Sequence, residues 1–111
     1  MAQLIWTEPA VSDLNAVASY IALDKPDAAS RFVRKVLSHI ELLSNNPELG
    51  PRIPELLPDG VHRQIVEPPC RIFYRHDEAA DTVFIVGVMR SERFFKPGLL
   101  RRGTKTKKRS G

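Results

Sequence analysis

The stretch from Val61 to Phe94 sets the terms for the rest of the chain. It reads V-H-R-Q-I-V-E-P-P-C-R-I-F-Y-R-H-D-E-A-A-D-T-V-F-I-V-G-V-M-R-S-E-R-F. This pattern predicts three β-strands in succession: Val61 to Val66, Arg71 to His76, and Thr82 to Met89. Glu67-Pro68-Pro69-Cys70 separates the first two, and the run from Asp77 to Asp81 makes the turn before the third. Side chains alternate across a strand. In the second strand Arg71, Phe73 and Arg75 therefore share one face, and Ile72, Tyr74 and His76 the other. In the third, Phe84, Val86 and Val88 fall on one face, and Val83, Ile85 and Met89 on the other. A strand apolar on both sides belongs in the middle of a sheet covered on both faces. Arg63, Arg71, Arg75, Arg90 and Arg93 all lie on or beside this sheet, and together they are a candidate cationic face.

A chain of 111 residues holds one domain with a real core. No apolar run is long enough to span a membrane, and no basic segment precedes an apolar one at the N-terminus, so no signal peptide is expected. The single cysteine, Cys70, cannot form an internal disulfide or a cysteine-based zinc cluster, which fits a cytoplasmic location. The net charge of +4 is unevenly placed. Residues 1–95 carry 10 Lys and Arg against 13 Asp and Glu, whereas residues 96–111 carry 7 Lys and Arg and no acid. The body is mildly acidic and the basicity is a tail. Direct nucleic-acid binding is therefore not expected from the body, though the tail is a candidate for it.

The order of elements follows from local signals. Gln3 to Trp6 predicts a short strand, with Trp6 in the core. Thr7 is a good N-cap, and Glu8 and Pro9 suit a first helical turn. Val11, Leu14, Val17, Ala18 and Ile21 make one apolar stripe. Asp24-Lys25-Pro26 ends that helix, and Pro26 opens the next. The second stripe is Ala29, Phe32, Val33, Val36, Ile40 and Leu43. So short a link makes the pair an antiparallel hairpin. Glu48 to Gly60 is a Pro- and Gly-rich connector, with Ile53, Leu56 and Leu57 placed to tack it down. The prediction is an α+β fold, β-α-α-β-β-β, with a helical hairpin packed on a small, mainly antiparallel sheet. The domain is expected to occupy residues 1–100, and residues 101–111 to form a basic, disordered tail.

Four segments in this order resemble the RelE/ParE superfamily of toxins from bacterial toxin–antitoxin pairs. Trp6-Thr7-Glu8-Pro9-Ala10, with Asp13-Leu14 and Tyr20-Ile21, is similar to the opening strand and first helix of ParE-type proteins. Asn46-Pro47, with Gly50 and Pro51, resembles their second-helix exit. Cys70-Arg71-Ile72-Phe73-Tyr74-Arg75 resembles the family's Tyr-Arg-apolar-apolar-Tyr-Arg strand, with Cys70 in the tyrosine's place. Val88 to Arg93 resembles the final strand, with Arg90 where ParE members often carry histidine.

The superfamily resemblance implies one of two activities. RelE-like members cleave mRNA on the ribosome, which needs cations around the scissile phosphate and a group to activate the 2′-hydroxyl. On that reading Arg71, Arg90 and Arg93 are the catalytic candidates. ParE-like members cleave nothing; they poison DNA gyrase and are neutralised by a ParD-like antitoxin. Arg71 matches an arginine of the RelE-like enzymes. However, Arg52 is the only cation of the connector, where those enzymes carry lysines, and Phe94 or Phe95 stands near their C-terminal tyrosine. The ParE-like reading is therefore preferred: a plasmid-stabilisation type of toxin, not an enzyme, with no cofactor and no metal. A non-toxic descendant that only binds its partner is a third reading.

The residues expected to meet antitoxin or target are Arg63, Arg71, Phe73, Arg75, Arg90, Arg93 and Phe94. The competing reading of each arginine is an ion pair with a nearby carboxylate: Glu67, Asp77, Glu78, Asp81 or Glu92. His39 is expected at the surface, and His62 and His76 have no metal-like spacing. An antitoxin strand and helix are expected to dock in the groove between the helix pair and the sheet edge.

Overall fold

The computed structural model describes residues 1–102. Its elements are β1 (Gln3–Trp6), α1 (Glu8–Ala22), α2 (Pro26–Glu41), β2 (Arg63–Glu67), β3 (Cys70–Asp77) and β4 (Thr82–Arg90). The sheet order is β1-β4-β3-β2; β1 runs parallel to β4 and the other pairs are antiparallel. This is the α+β fold with a helical hairpin on a mainly antiparallel sheet. β2 starts two residues later than expected. The residues before it serve the connector instead: the Ile53 N–H donates to the His62 carbonyl at 3.0 Å.

Thr7 turns the chain from β1 into α1. Its hydroxyl oxygen accepts from the Ala10 N–H at 3.3 Å, while its N–H and hydroxyl both donate to the Ile85 carbonyl. The cap thus ties the start of α1 to the central strand. The buried face of α1 is Ala10, Leu14 and Val17. Val11, expected in that stripe, is exposed, and Ala10 takes its place with no exposed surface. The small side chain lets the helix start close to the sheet. α2 buries Ala29, Phe32, Val36 and Ile40 as its spacing predicts.

Two apolar layers sandwich the sheet. Between helices and sheet lie Leu14, Val17, Phe32, Val36, Ile40, Leu43, Ile72, Tyr74, Val83, Ile85 and Val88. On the opposite face Phe73, Phe84, Val86 and Met89 pack with Ile53 of the connector and Leu100 of the C-terminal segment. Every residue of β4 before Arg90 is buried. One expectation for β4 fails on its faces. A bulge lies where Phe73 pairs with Gly87 and Tyr74 with Ile85, leaving Val86 as an extra residue. The alternation flips there, so Val88 joins the helix-side layer and Met89 the other, the reverse of strict period two.

The second face is closed by segments from both sides of the sheet sequence. Ile53 is fully buried, Leu56 half-buried and Leu57 exposed. A helical turn at residues 98–102 lays Leu99 and Leu100 against the same layer. It continues two residues past the boundary expected at 100, and Arg102 pairs with Asp13 of α1 at 2.6 Å. Residues 103–111, the rest of the expected tail, lie outside the described residues.

Gly50 is the tightest point of the connector. Its N–H donates to the Tyr74 hydroxyl at 2.9 Å, and its carbonyl accepts from Arg63 at 2.8 Å. A Cβ there would collide with the backbone carbonyl of Gln64, which cannot give way as a side-chain end can. Gly50→Ala is therefore expected to lower the unfolding free energy by about 2 kcal/mol. Tyr74→Phe, which leaves the buried Gly50 N–H without its acceptor, should cost about 1–2 kcal/mol. Urea unfolding midpoints of the two variants check both values.

Candidate functional site

The five arginines do not share one face. Arg71 lies on the sheet face covered by the connector. Its guanidinium makes two hydrogen bonds to the Glu55 carboxylate, at 2.7 and 2.9 Å, and two to the Gln64 side-chain oxygen, at 2.7 and 2.9 Å. It also lies over the rings of Phe73, at 5.1 Å, and Phe95, at 5.7 Å. Only 12% of the Arg71 side chain is exposed. Glu55 was outside the carboxylates expected to pair with it. The two lie 16 residues apart, and only the folded connector joins them. The Arg71 guanidinium holds the Glu55 carboxyl below the usual carboxylate range, against a smaller opposing effect of burial.

Arg90 points to the helix side, where it lies over the Tyr20 ring at 4.5 Å and pairs with Glu92 at 2.9 Å. Arg63 is also on that side, held by the Gly50 carbonyl, with Glu48 at 3.8 Å. Arg75 stacks over Phe84 at 4.3 Å on the connector side. Arg93 is exposed in the turn after β4, and Phe94 is 93% exposed. Phe73, expected among the contact residues, is fully buried in the second layer, with Phe95 edge-on at 5.3 Å. It supports the site and presents no surface.

The exposed members therefore gather at one place, the C-terminal end of β4. Two grooves meet there and share Met89 and Arg93. One lies between α1 and β4, walled by Asp13, Val17, Tyr20 and Arg90. The other lies between the β4 exit and the turn at 98–102, walled by Phe94, Lys96 and Leu99. β1 pairs with β4 only from Thr82 to Ile85. Among the described residues, the outer edge of β4 from Val86 to Arg90 thus has no strand beside it. Asp13 reaches that edge: one carboxylate oxygen accepts from the Val88 N–H at 3.1 Å, while Arg102 grips both oxygens. The sequence reading gave neither Asp13 nor Arg102 this role. An acid on a helix face and a cation in a basic tail carry no signal of their meeting.

The remaining candidates for chemistry are placed as follows. His76 is on the helix-side face, paired in register with Val83, opposite the face that carries Arg71. His39 is half-buried, its Nδ1 3.1 Å from Glu67. Among the described residues no group of three or more His, Cys, Asp or Glu is arranged to hold a metal ion. None of their helices is long and apolar enough to cross a membrane. Cys70 is fully buried, and burial pushes its thiol up to about 11.

A family model and a curated relative place the chain, and solved structures share its fold. The family described as "ParE toxin of type II toxin-antitoxin system, parDE" matches residues 4–95. The toxin RelE2 of Caulobacter vibrioides is 34% identical over 74 residues, covering 67% of this chain and 80% of that one. Two solved structures share the fold. The chromosomal ParDE system of P. aeruginosa superposes with a TM-score of 0.68 at 22% identity, covering 83% of this chain and 98% of its own. The RelBE2 toxin–antitoxin complex of Mycobacterium tuberculosis superposes at 0.54 and 21%, covering 80% and 96%. The chain belongs to the ParE toxin family of type II toxin–antitoxin systems, within the RelE/ParE superfamily.

Two measurements check the site's electrostatics. Cys70 should resist a thiol reagent in the native protein at pH 8 and react fully once urea unfolds it. The Arg71–Glu55 pair should add stability above the ordinary glutamate pKa of about 4.3. That contribution should fade as the pH falls through the lower folded value. An acid titration of unfolding free energy should show this loss in the wild type, and a smaller one in Glu55→Gln.

Proposed function

We propose that this toxin poisons DNA gyrase, does not cleave RNA, and is neutralised by a ParD-like antitoxin. The observation that carries the reading is the dispersal of the cations a nuclease would need. Arg71, the position that matches the RelE-like enzymes, spends its donors on Glu55 and Gln64. Arg90 is on the opposite face of the sheet, and Arg93 stands apart in the exposed turn. Charge stabilisation at a phosphorus needs such groups to converge on one point. Phe94 and Phe95, near the position of the enzymes' tyrosine, have no proton to exchange.

Phe94, Arg93 and Lys96 form the surface proposed to meet the target, an exposed ring with a cation on either side. The antitoxin contact is proposed at the unpaired β4 edge, where a partner strand displaces Asp13 from the Val88 N–H and extends the sheet, and a helix fills the groove against α1. Ribosome-dependent mRNA cleavage through Arg71, Arg90 and Arg93 is the second reading. The observation in its favour is the 34% identity to a relative that carries the RelE name.

The test is a gyrase supercoiling and cleavage assay beside a translation reaction with primer extension on the mRNA. The expected result is blocked supercoiling with trapped cleaved DNA, and intact mRNA. Codon-phased cuts with normal gyrase would replace this reading by the second. Phe94→Ala should weaken gyrase inhibition at least about tenfold while moving the unfolding free energy by less than about 0.5 kcal/mol, since the ring is exposed.

A further inference from the structure

The arginines of the sheet are largely engaged within the molecule, which raises the question of where an acidic partner finds unpaired charge. The densest answer is on α2. Arg31, Arg34 and Lys35 are all exposed. None of the three has a hydrogen-bond or ion-pair partner among the described residues. Helical spacing puts Arg31 and Lys35 one turn apart on one face, with Arg34 beside them. Leu42, 55% exposed, continues the same face two turns further on. These residues wall a groove whose far side is the His39–Glu67 pair at the end of β2. Three unpaired cations within five residues cost electrostatic energy in the free protein. They are all the more distinct on a body that otherwise carries more acid than base.

We infer that this groove receives an acidic helix of the antitoxin, with carboxylates on Arg31, Arg34 and Lys35 and an apolar side chain on Leu42. The inference rests on the antitoxin reading above and adds a second contact surface to it, distinct from the open β4 edge. Charge complementarity selects an acidic occupant. The exposed leucine at the end of the cationic run favours a polypeptide over a phosphate backbone, which has no apolar side chain to offer. Contacts of this kind act most on association rate and salt dependence.

The experiment uses the full-length toxin and the antitoxin encoded by the adjoining reading frame. Affinity is measured at 0.1 and 0.5 M NaCl for wild type and for a variant carrying Arg31→Glu, Arg34→Glu and Lys35→Glu. Circular dichroism and thermal unfolding confirm that the variant, altered only at exposed positions, is folded. The expected result is a loss of affinity of about 30-fold at the lower salt, which shrinks at the higher. Leu42→Ala alone should weaken binding at both salts. Equal affinity of wild type and charge variant would overturn the inference and leave the antitoxin reading standing. Failure of the wild type itself to bind would overturn both. A 20-base-pair DNA duplex is the control: binding that the charge variant loses, with antitoxin affinity unchanged, would assign the groove to nucleic acid instead.

Discussion

β4 is buried along both faces, and that constraint organises the molecule. A strand with Val83, Ile85 and Val88 toward the helices and Phe84, Val86 and Met89 away from them needs a cover on each side. The helical hairpin supplies one. The other is assembled from the connector and the C-terminal segment, neither of which contributes a long element. Fully burying a side chain such as Ile53 is worth about 1.5–3 kcal/mol, whereas a partly exposed ion pair such as Arg71–Glu55 contributes about 1 kcal/mol or less. The connector is therefore held chiefly by its apolar anchor. The ion pair fixes its position, and with it the surroundings of Arg71.

The bulge at Val86–Gly87 links this packing to the site. By reversing the faces it sends Met89 to the connector layer and directs Arg90 to the helix side, where Tyr20 receives it. Beyond the bulge β4 has outrun β1, so among the described residues no strand pairs with its outer edge there, and Asp13 takes the Val88 N–H. Arg93 and Phe94 then leave the sheet into solvent. The end of a strand buried along its length thus leads into an exposed aromatic–cationic surface.

Much of this was readable from the residues. Period two marked all three consecutive strands, helical spacing marked every buried position of α2, and Thr7 and Pro26 marked the helix starts. What failed has a common cause. The rotation of the α1 stripe onto Ala10, the bulge, and the partners of Arg71 and Asp13 are set by contacts between residues 7 to 89 positions apart, in different segments of the chain. No local pattern encodes these. The expected cationic face shows the consequence. Five arginines near one sheet were visible in the chain, but which were engaged depended on Glu55, Gln64, Tyr20 and Gly50. The unpaired cluster lay instead on the outer face of α2, where a charged helix surface looks ordinary in sequence.

The central claim is that Arg71 is a structural tie between sheet and connector, whereas a RelE-like enzyme would use it on phosphate. The most direct test is a double-mutant cycle on Arg71→Met and Glu55→Gln, read by urea unfolding, with gyrase inhibition measured on the same folded proteins. The account predicts a coupling of about 1 kcal/mol between the two positions and inhibition that persists in both variants. Negligible coupling, together with complete loss of inhibition in a stably folded Arg71→Met, would contradict it.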